Sequence, residues 1–368
     1  MHPSNTSKHP ASQPQGTAKE PTLRLVAWET TRNCNLNCMH CRAAATRGPY
    51  SGELDTTAAL RLLDQIAEVG QPIVILTGGE PLLRPDIFDI AGYGTKLGLR
   101  MVMAPNGTLI TEKIAKKMAE SGIKRISISL DGATKETHDR FRGQEGAYEG
   151  SLQGIEMAKR AGIDFQINTT VTRTNLAEIP AIQDTAVKLG AVAHHIFLLV
   201  PTGRGKYIVD MEISAEEYEQ TLNWFYDQKD KTPLELKATC APHYYRILRQ
   251  RAKEEGITVT FKSHGLDAVT RGCLGGIGFC FISHRGIVQP CGFLHVNCGD
   301  VTRVSFADIW DQSETFLSLR KYSKLKGKCG ACEYRRVCGG CRARAFEATG
   351  DILAQEPLCS YESVSMTK

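Results

Sequence analysis

From Leu23 onward the apolar residues of this chain follow two alternating rhythms. Short runs rich in Val, Ile, Thr and aromatic residues give way to stretches of ten or more residues in which apolar positions recur every three or four places. The first rhythm suits strands, whose side chains alternate between faces, and the second suits helices carrying one apolar stripe. The pattern predicts strands at 25–29, 73–77, 100–104, 125–130, 164–170 and 195–200. Between them it predicts amphipathic helices at 56–69, 86–97, 112–121, 148–161, 176–189 and 215–228. Regular alternation of strand and helix is the pattern of βα units on a parallel sheet. The expected fold class is therefore α/β, and six units predict a partial (β/α)6, TIM-like barrel.

The rhythm stops after Thr232. A connecting region, 233–270, carries Ala238-Thr-Cys240-Ala-Pro-His243-Tyr-Tyr245-Arg246 and a basic helix, and a Gly- and Cys-rich tail, 271–368, follows. That tail is too dense in cysteine for an ordinary apolar core. Residues 1–22 are polar, rich in Ser, Pro, Gln and Thr, and are expected to be disordered, leaving 23–232 as the barrel.

Composition narrows the class. The 368 residues, 42% of them hydrophobic, can fill one large domain and a smaller one. A net charge of +5, from 45 basic and 40 acidic side chains, is too mild for a nucleic-acid partner but favours an anionic substrate. No run approaches the roughly 18 apolar residues of a membrane span. The thirteen cysteines do not read as a disulfide framework, because that requires a short secreted chain and residues 1–22 contain no apolar signal core. A reducing cytoplasm, with cysteines serving metals, is the reading that remains.

In barrels of this kind active residues collect at the C-terminal strand ends. Cys34, Cys38 and Cys41 follow the first predicted strand with the spacing C-x3-C-x2-C, Gly78-Gly79-Glu80-Pro81 the second, Asn106-Gly107-Thr108 the third, and Ser129 and Asp131 the fourth. Turn chemistry explains any one of these motifs but not the set. Three thiolates suit a [4Fe-4S] cube, which takes four ligands and would keep one iron open. Structural zinc wants four closed ligands, usually two C-x2-C pairs, and fits this triad poorly.

The triad in register with Gly78-Gly79-Glu80-Pro81 resembles the radical S-adenosylmethionine (radical SAM) superfamily. The resemblance implies that Cys34, Cys38 and Cys41 hold the radical-generating cluster, whose open iron chelates S-adenosyl-L-methionine. It further implies that Gly78 and Gly79 admit the ligand to the backbone and that Glu80 meets the methionine ammonium. Ser129, Asp131 and Arg142 would face the ribose and amino-acid parts, while Asn168, Thr170 and Leu199 would line the adenosine site. His40 would shield the cluster.

The tail resembles the SPASM or twitch extension of such enzymes. Cys273, Gly286 and Cys291 fit C-x12-G-x4-C, and Cys329, Cys332, Cys338 and Cys341 give C-x2-C-x5-C-x2-C, with x2 where the full pattern has x3, before Cys359 closes. The resemblance implies one or two auxiliary [4Fe-4S] clusters. With two, Cys273, Cys280, Cys291 and Cys341 would hold one, and Cys329, Cys332, Cys338 and Cys359 the other. A single cluster would leave some of these as thiols, and zinc on the late pairs is the rival. Cys240 and Cys298 stand outside the pattern and read as buried small hydrophobes.

The runs Cys41-Arg-Ala-Ala-Ala45, Met103-Ala-Pro-Asn-Gly107, Pro201-Thr-Gly-Arg-Gly-Lys206, Lys237-Ala-Thr-Cys-Ala-Pro-His-Tyr-Tyr-Arg246 and Gly278-Phe-Cys-Phe-Ile-Ser-His284 resemble the tetrapyrrole-modifying branch, most of all the heme b synthases of the siroheme-dependent pathway. That implies oxidative decarboxylation of two propionates of iron-coproporphyrin III to the vinyl groups of heme b, with an external electron donor and acceptor. Didecarboxysiroheme deacetylases and heme d1 maturases share the architecture. Peptide-modifying SPASM enzymes are a further class, but they place a winged-helix segment ahead of the barrel, where this chain has about 22 polar residues. A polycarboxylate needs cations, and Arg204, Lys206, His243 and Arg246 are the expected substrate contacts, with Arg271, Arg285, Tyr244 and Tyr245 as further candidates.

Overall fold

The computed structural model describes residues 22–363. The segment expected to be disordered lies, except for Thr22, outside the described residues. Ten strands form one sheet: β1 Leu25–Thr31, β2 Ile73–Gly78, β3 Arg100–Met103, β4 Arg125–Ser129, β5 Asp164–Val171, β6 Ala193–Leu198, β7 Glu235–Thr239, β8 Phe279–Ile282, β9 Ile287–Gln289 and β10 Gly299–Asp300. Their order is β10-β9-β8-β1-β2-β3-β4-β5-β6-β7, parallel from β8 through β7, with β9 and β10 added antiparallel at one edge.

The helices between the strands form for local reasons. Helix Thr56–Val69 starts where the Asp55 carboxylate accepts the Ala58 amide at 2.8 Å, and buries Ala59, Leu62, Leu63 and Ile66, a spacing that makes one apolar stripe against the sheet. On the sheet side Val26, Trp28, Val74, Leu76, Met101 and Met103 are sealed from solvent in the same core. Each such side chain contributes on the order of 2 kcal/mol on burial.

Four strands exceed the six that periodicity predicts, and two of them, β7 and β8, extend the parallel part of the sheet. β7 lies inside the region read as a connector and pairs with β6 in parallel, Ala193 opposite Glu235. Its residues Glu-Leu-Lys-Ala-Thr carry little apolar signal because this is an edge strand with one side to water. β8 belongs to the cysteine-rich tail yet pairs with β1 in parallel, Leu25 opposite Phe279. The sheet therefore runs through the expected boundary at 271.

A buried arginine fastens tail to barrel. Arg344, on helix Arg342–Thr349, donates to the carbonyls of Leu199 at 2.9 Å and Cys240 at 3.3 Å, at the ends of β6 and β7. Its charge is met by Glu356 at 3.2 Å and Glu212 at 3.4 Å. Among the described residues no helix is long and apolar enough to cross a membrane.

Candidate functional site

β1 delivers the chain to the cysteine loop, and each sulfur there meets one donor. The amide of Leu36 lies 3.5 Å from Cys34 Sγ, the amide of Ala45 3.4 Å from Cys41 Sγ, and the Arg142 guanidinium 3.6 Å from Cys38 Sγ. Burial pushes the Cys34 thiol up to about 12, so the pocket holds a thiolate there only with a compensating cation. Donors aimed at three sulfurs, in a site that demands cationic compensation, fit an iron–sulfur cube.

The Gly78-Gly79 pair serves the same loop. A Cβ on Gly78 would stand 2.4 Å from the Thr31 carbonyl, and one on Gly79 2.4 Å from the carbonyl of Asn33. The Gly79 and Glu80 amides instead donate to Thr31 and Asn33, each at 2.8 Å. These glycines thus let the end of β2 lie against the exit of β1, a closer reason for them than contact with a ligand.

Glu80 is sealed, its two oxygens accepting the amides of Leu82 at 3.0 Å and Asn106 at 2.7 Å. Burial raises its carboxyl to about 7, against those two hydrogen bonds. At the end of β4, Asp131 is fully buried, with one oxygen on the Thr170 amide at 2.7 Å and the other paired with Arg142. Arg142 therefore joins an acid of the β4 end to a cysteine of the loop. Ser129 and Asn168 face each other across β4 and β5, and Asn168 Oδ1 accepts from Gln166 at 2.9 Å. Leu199 is buried. His40 stacks on Phe141 with ring centroids 4.4 Å apart and is held neutral by burial beside Arg142 and Arg204.

The tail cysteines divide into two groups. Cys329, Cys332, Cys338 and Cys359 line one cavity together with His243 and Arg246. Their sulfurs accept backbone amides: Glu356 to Cys329 at 3.3 Å, Tyr334 to Cys332 and Gly340 to Cys338 at 3.4 Å, and Tyr361 to Cys359. Among the described residues no three His, Cys, Asp or Glu side chains converge as ligands of a single metal ion do. Four cysteines around one cavity suit a cube, which takes one thiolate at each of four corners. In the second group, Cys240 and Cys291 pack against the buried cluster of Val200, Leu294, Cys341 and Ala343, and Cys273 is an electrostatic neighbour of Cys240, Cys291 and Cys341.

Cys280, which the resemblance assigns to that second group, is elsewhere. It sits on β8 opposite Val26 inside the main core, and its cysteine neighbour is Cys298. Cys298 Sγ approaches the Val296 carbonyl at 3.6 Å as a thiol donor does.

The expected substrate cations are largely committed. Arg204 donates to the carbonyls of Cys38 at 2.8 Å and Ala45 at 2.7 Å, so it braces the cluster loop. Lys206 pairs with Glu347 at 3.0 Å and keeps half its surface in water. Arg246 makes a fork on Glu219 at 2.9 and 2.5 Å and lies over the Tyr361 ring. His243 is buried between the Tyr218 ring and the four-cysteine cavity. Tyr244 and Tyr245 belong to the core, Arg271 covers the Tyr322 ring, and Arg285 reaches the Ser51 carbonyl at 3.3 Å.

The periodicity did not single out a polar group facing the loop. Arg42, next to Cys41, lies over Phe281 and 3.7 Å from Glu29, and one of its buried guanidinium nitrogens has no hydrogen-bond partner. His284 Nδ1 lies 3.8 Å from Glu29, also without a hydrogen bond. His295 is held neutral by burial and by Arg42, with Glu347 opposing. A glutamate on the buried end of a strand was the available signal.

Residues 28–186 match the Radical SAM superfamily, and residues 273–333 match SPASM, an iron-sulfur cluster-binding domain. The chain is 55% identical to an AdoMet-dependent heme synthase of Nitratidesulfovibrio vulgaris, covering 98% of both chains. It is 54% identical to one of Methanosarcina barkeri over 92% of this chain and 96% of that protein. A Fe-coproporphyrin III synthase of the same M. barkeri strain is 33% identical over 91% and 87%. Among solved structures, Streptococcus suis SuiB bound to S-adenosylmethionine superposes with a TM-score of 0.73 at 16% identity, over 93% of this chain and 78% of that one. That likeness is one of fold.

Proposed function

The chain belongs to the radical SAM superfamily, in one family with the AdoMet-dependent heme synthases, and from that premise we propose that it converts two propionates of iron-coproporphyrin III into the vinyl groups of heme b. The observation that carries this reading is the gap between 54–57% identity to three heme synthases and 33% to the Fe-coproporphyrin III synthase.

The donor-met thiols of Cys34, Cys38 and Cys41 would hold the radical-generating cluster. The groups of the tail would hold the auxiliary ones. When bound, the cluster and S-adenosyl-L-methionine would supply one 5′-deoxyadenosyl radical per turnover, to take a hydrogen atom from one propionate β-carbon with loss of one carbon dioxide and one electron, so that two turnovers give the two vinyl groups.

The chain's own residues prepare for this. Glu80, poised near neutrality, becomes a full carboxylate once the methionine ammonium is beside it, so ligand binding there expels part of a proton at pH 7. The Asp131–Arg142 pair fixes the far side of the ligand site and keeps a positive charge beside Cys38. Arg42 and His284 offer spare polar atoms to the substrate carboxylates close to the loop, a better placed pair than Arg204 or Arg246, with His295 as an electrostatic neighbour of Arg42. Lys206, still half in water, remains a candidate at that rim.

The electron must reach an external acceptor, and the tail's clusters form a first relay. A reducing cytoplasm, where thiolates stay available to clusters, is the compartment this reading requires. Anaerobic incubation with iron-coproporphyrin III and with didecarboxysiroheme, products read by mass, tests the reading. Loss of two formic-acid equivalents from the first is expected. Loss of acetate arms from the second, with the first untouched, overturns it.

A further inference from the structure

Cys240 has an unusual backbone. Its φ is +55°, in the left-handed region that a residue with a Cβ rarely adopts. The carbonyl is held there by two donors, the Tyr218 hydroxyl at 3.0 Å and Arg344 Nη2 at 3.3 Å. Strain of this kind costs on the order of 1 kcal/mol or more and persists where the surroundings impose it, often at functional sites.

What the strain achieves is the direction of one side chain. Cys240 leaves the end of β7 and, like Cys291, packs against the small buried cluster of Val200, Leu294, Cys341 and Ala343, with Cys341, Cys291 and Cys273 as its electrostatic neighbours. Gly272 fits so closely against Pro242 that a Cβ would stand 2.4 Å from it, which brings the Cys273 segment to the same place. Arg344, the donor to the Cys240 carbonyl, stands three residues beyond Cys341 and is itself buried between Glu356 and Glu212. Three tail cysteines thus form an incomplete set, and the residue that completes it comes from the barrel.

We propose that Cys240 is the fourth protein ligand of the auxiliary cluster held by Cys273, Cys291 and Cys341, and that Cys280 is a core thiol with no metal. The proposal rests on the iron–sulfur reading of the tail. It gives this cluster four thiolates, unlike the open triad at Cys34, Cys38 and Cys41. A closed cube cannot bind substrate at an iron, so its part is to take up and pass on an electron. It also spans the two halves of the chain, one ligand from the end of β7 and three from the tail.

The test is anaerobic reconstitution of the full chain as wild type, Cys240→Ala, Cys240→Ser and Cys280→Ala. Iron and sulfide are counted, and EPR spectra are taken of the reduced proteins with and without S-adenosyl-L-methionine. If each of three cubes is filled, the wild type holds about 12 irons. Cys240→Ala is expected to lose about four of them, or to convert one cluster to a three-iron signal. Cys280→Ala should match the wild type. The spectral response to S-adenosyl-L-methionine serves as the folding control. Should Cys240→Ala lose every signal, Cys240→Ser decides: an oxygen ligand keeps the iron but shifts one auxiliary spectrum. Wild-type iron and spectra in both Cys240 variants, or loss of a cluster in Cys280→Ala, overturns the proposal while leaving the tail an iron–sulfur region. A wild type without auxiliary iron overturns both.

Discussion

Arg142 Nη1 lies 3.6 Å from the sulfur of Cys38, while the other arm of the same guanidinium pairs with the buried Asp131 carboxylate. One side chain thus sets the charge beside a cluster cysteine and neutralises an acid that has no water. Arg142→Gln should destabilise the protein by about 3–5 kcal/mol, because Asp131 is left buried and unpaired. It should also lower the midpoint potential of the loop cluster by on the order of 50 mV, since a nearby cation favours the reduced form. Adding Asp131→Asn should restore most of the stability but only part of the potential, because Asp131 acts on Cys38 more weakly than Arg142 does. EPR-monitored redox titration and urea unfolding separate the two effects.

Gly79→Ala introduces a methyl group 2.4 Å from the Asn33 carbonyl and 2.7 Å from that of Arg32. Backbone cannot yield there without moving the exit of β1. The expected cost is about 1–3 kcal/mol, with reduced iron at the loop cluster on reconstitution. Gly92→Ala, in helix Ile87–Lys96 with open space around it, should be neutral or stabilising by up to about 1 kcal/mol. Equal iron contents in the two variants would remove this account of the glycine pair.

Arg204 was a natural candidate for a propionate clamp, yet its donors go to Cys38 and Ala45. Arg204→Ala should therefore shorten the lifetime of the loop cluster under a chelator several-fold and leave the dissociation constant for iron-coproporphyrin near that of the wild type. The opposite split would return Arg204 to the substrate.

Arg344→Met should cost about 3–5 kcal/mol, because Glu356 is sealed and would keep a charge with no cation. Pairing it with Glu356→Gln should recover a substantial part. Additive losses in a double-mutant cycle of urea midpoints would show that the two do not act together.

His194 is fully buried on β6 with Nε2 3.0 Å from the Thr169 hydroxyl, and burial lowers it to about 4 from an ordinary 6.5. The unfolded chain binds a proton at this ring more readily than the folded one, so stability is lost as pH falls through that window. The expected loss between roughly pH 7.5 and pH 5 is about 2 kcal/mol, and His194→Gln should flatten this part of the pH profile. An unchanged profile in the variant would assign the dependence to other groups, His195 first, which burial lowers to about 3.

Much of the architecture is legible in residue periodicity, and its failures have physical causes. β1 to β6 announce themselves because apolar residues recur on at least one sealed face of each strand, as Ile126 and Ile128 do in the Arg-Ile-Ser-Ile-Ser of β4. β7 does not, because an edge strand tolerates Glu235 and Lys237, and β8 hides in a short run, Phe-Cys-Phe-Ile, amid glycines and cysteines. Cysteine spacing groups ligands that lie near one another in the chain, which is why Cys34, Cys38 and Cys41 stand out. It does not reach Cys240, three helices ahead of Cys273, and it does not include Cys280 either, which the resemblance adds and which alternation along β8 turns into the core. Arginine and histidine roles were the least legible. Nothing in the runs around Arg204, His243 or Arg246 says whether a carbonyl, a ring or a carboxylate waits at the far end.

The pairing of β8 with β1 limits how this protein can be taken apart. A chain cut ahead of Phe279 would keep every strand from β1 to β7 but expose the amides and carbonyls of Leu25–Trp28 along a hydrophobic edge, inviting self-association. Chimeras that graft this barrel onto another enzyme's tail must therefore carry Phe279–Ile282 with it, making the natural seam for recombination lie after the tail's first strand.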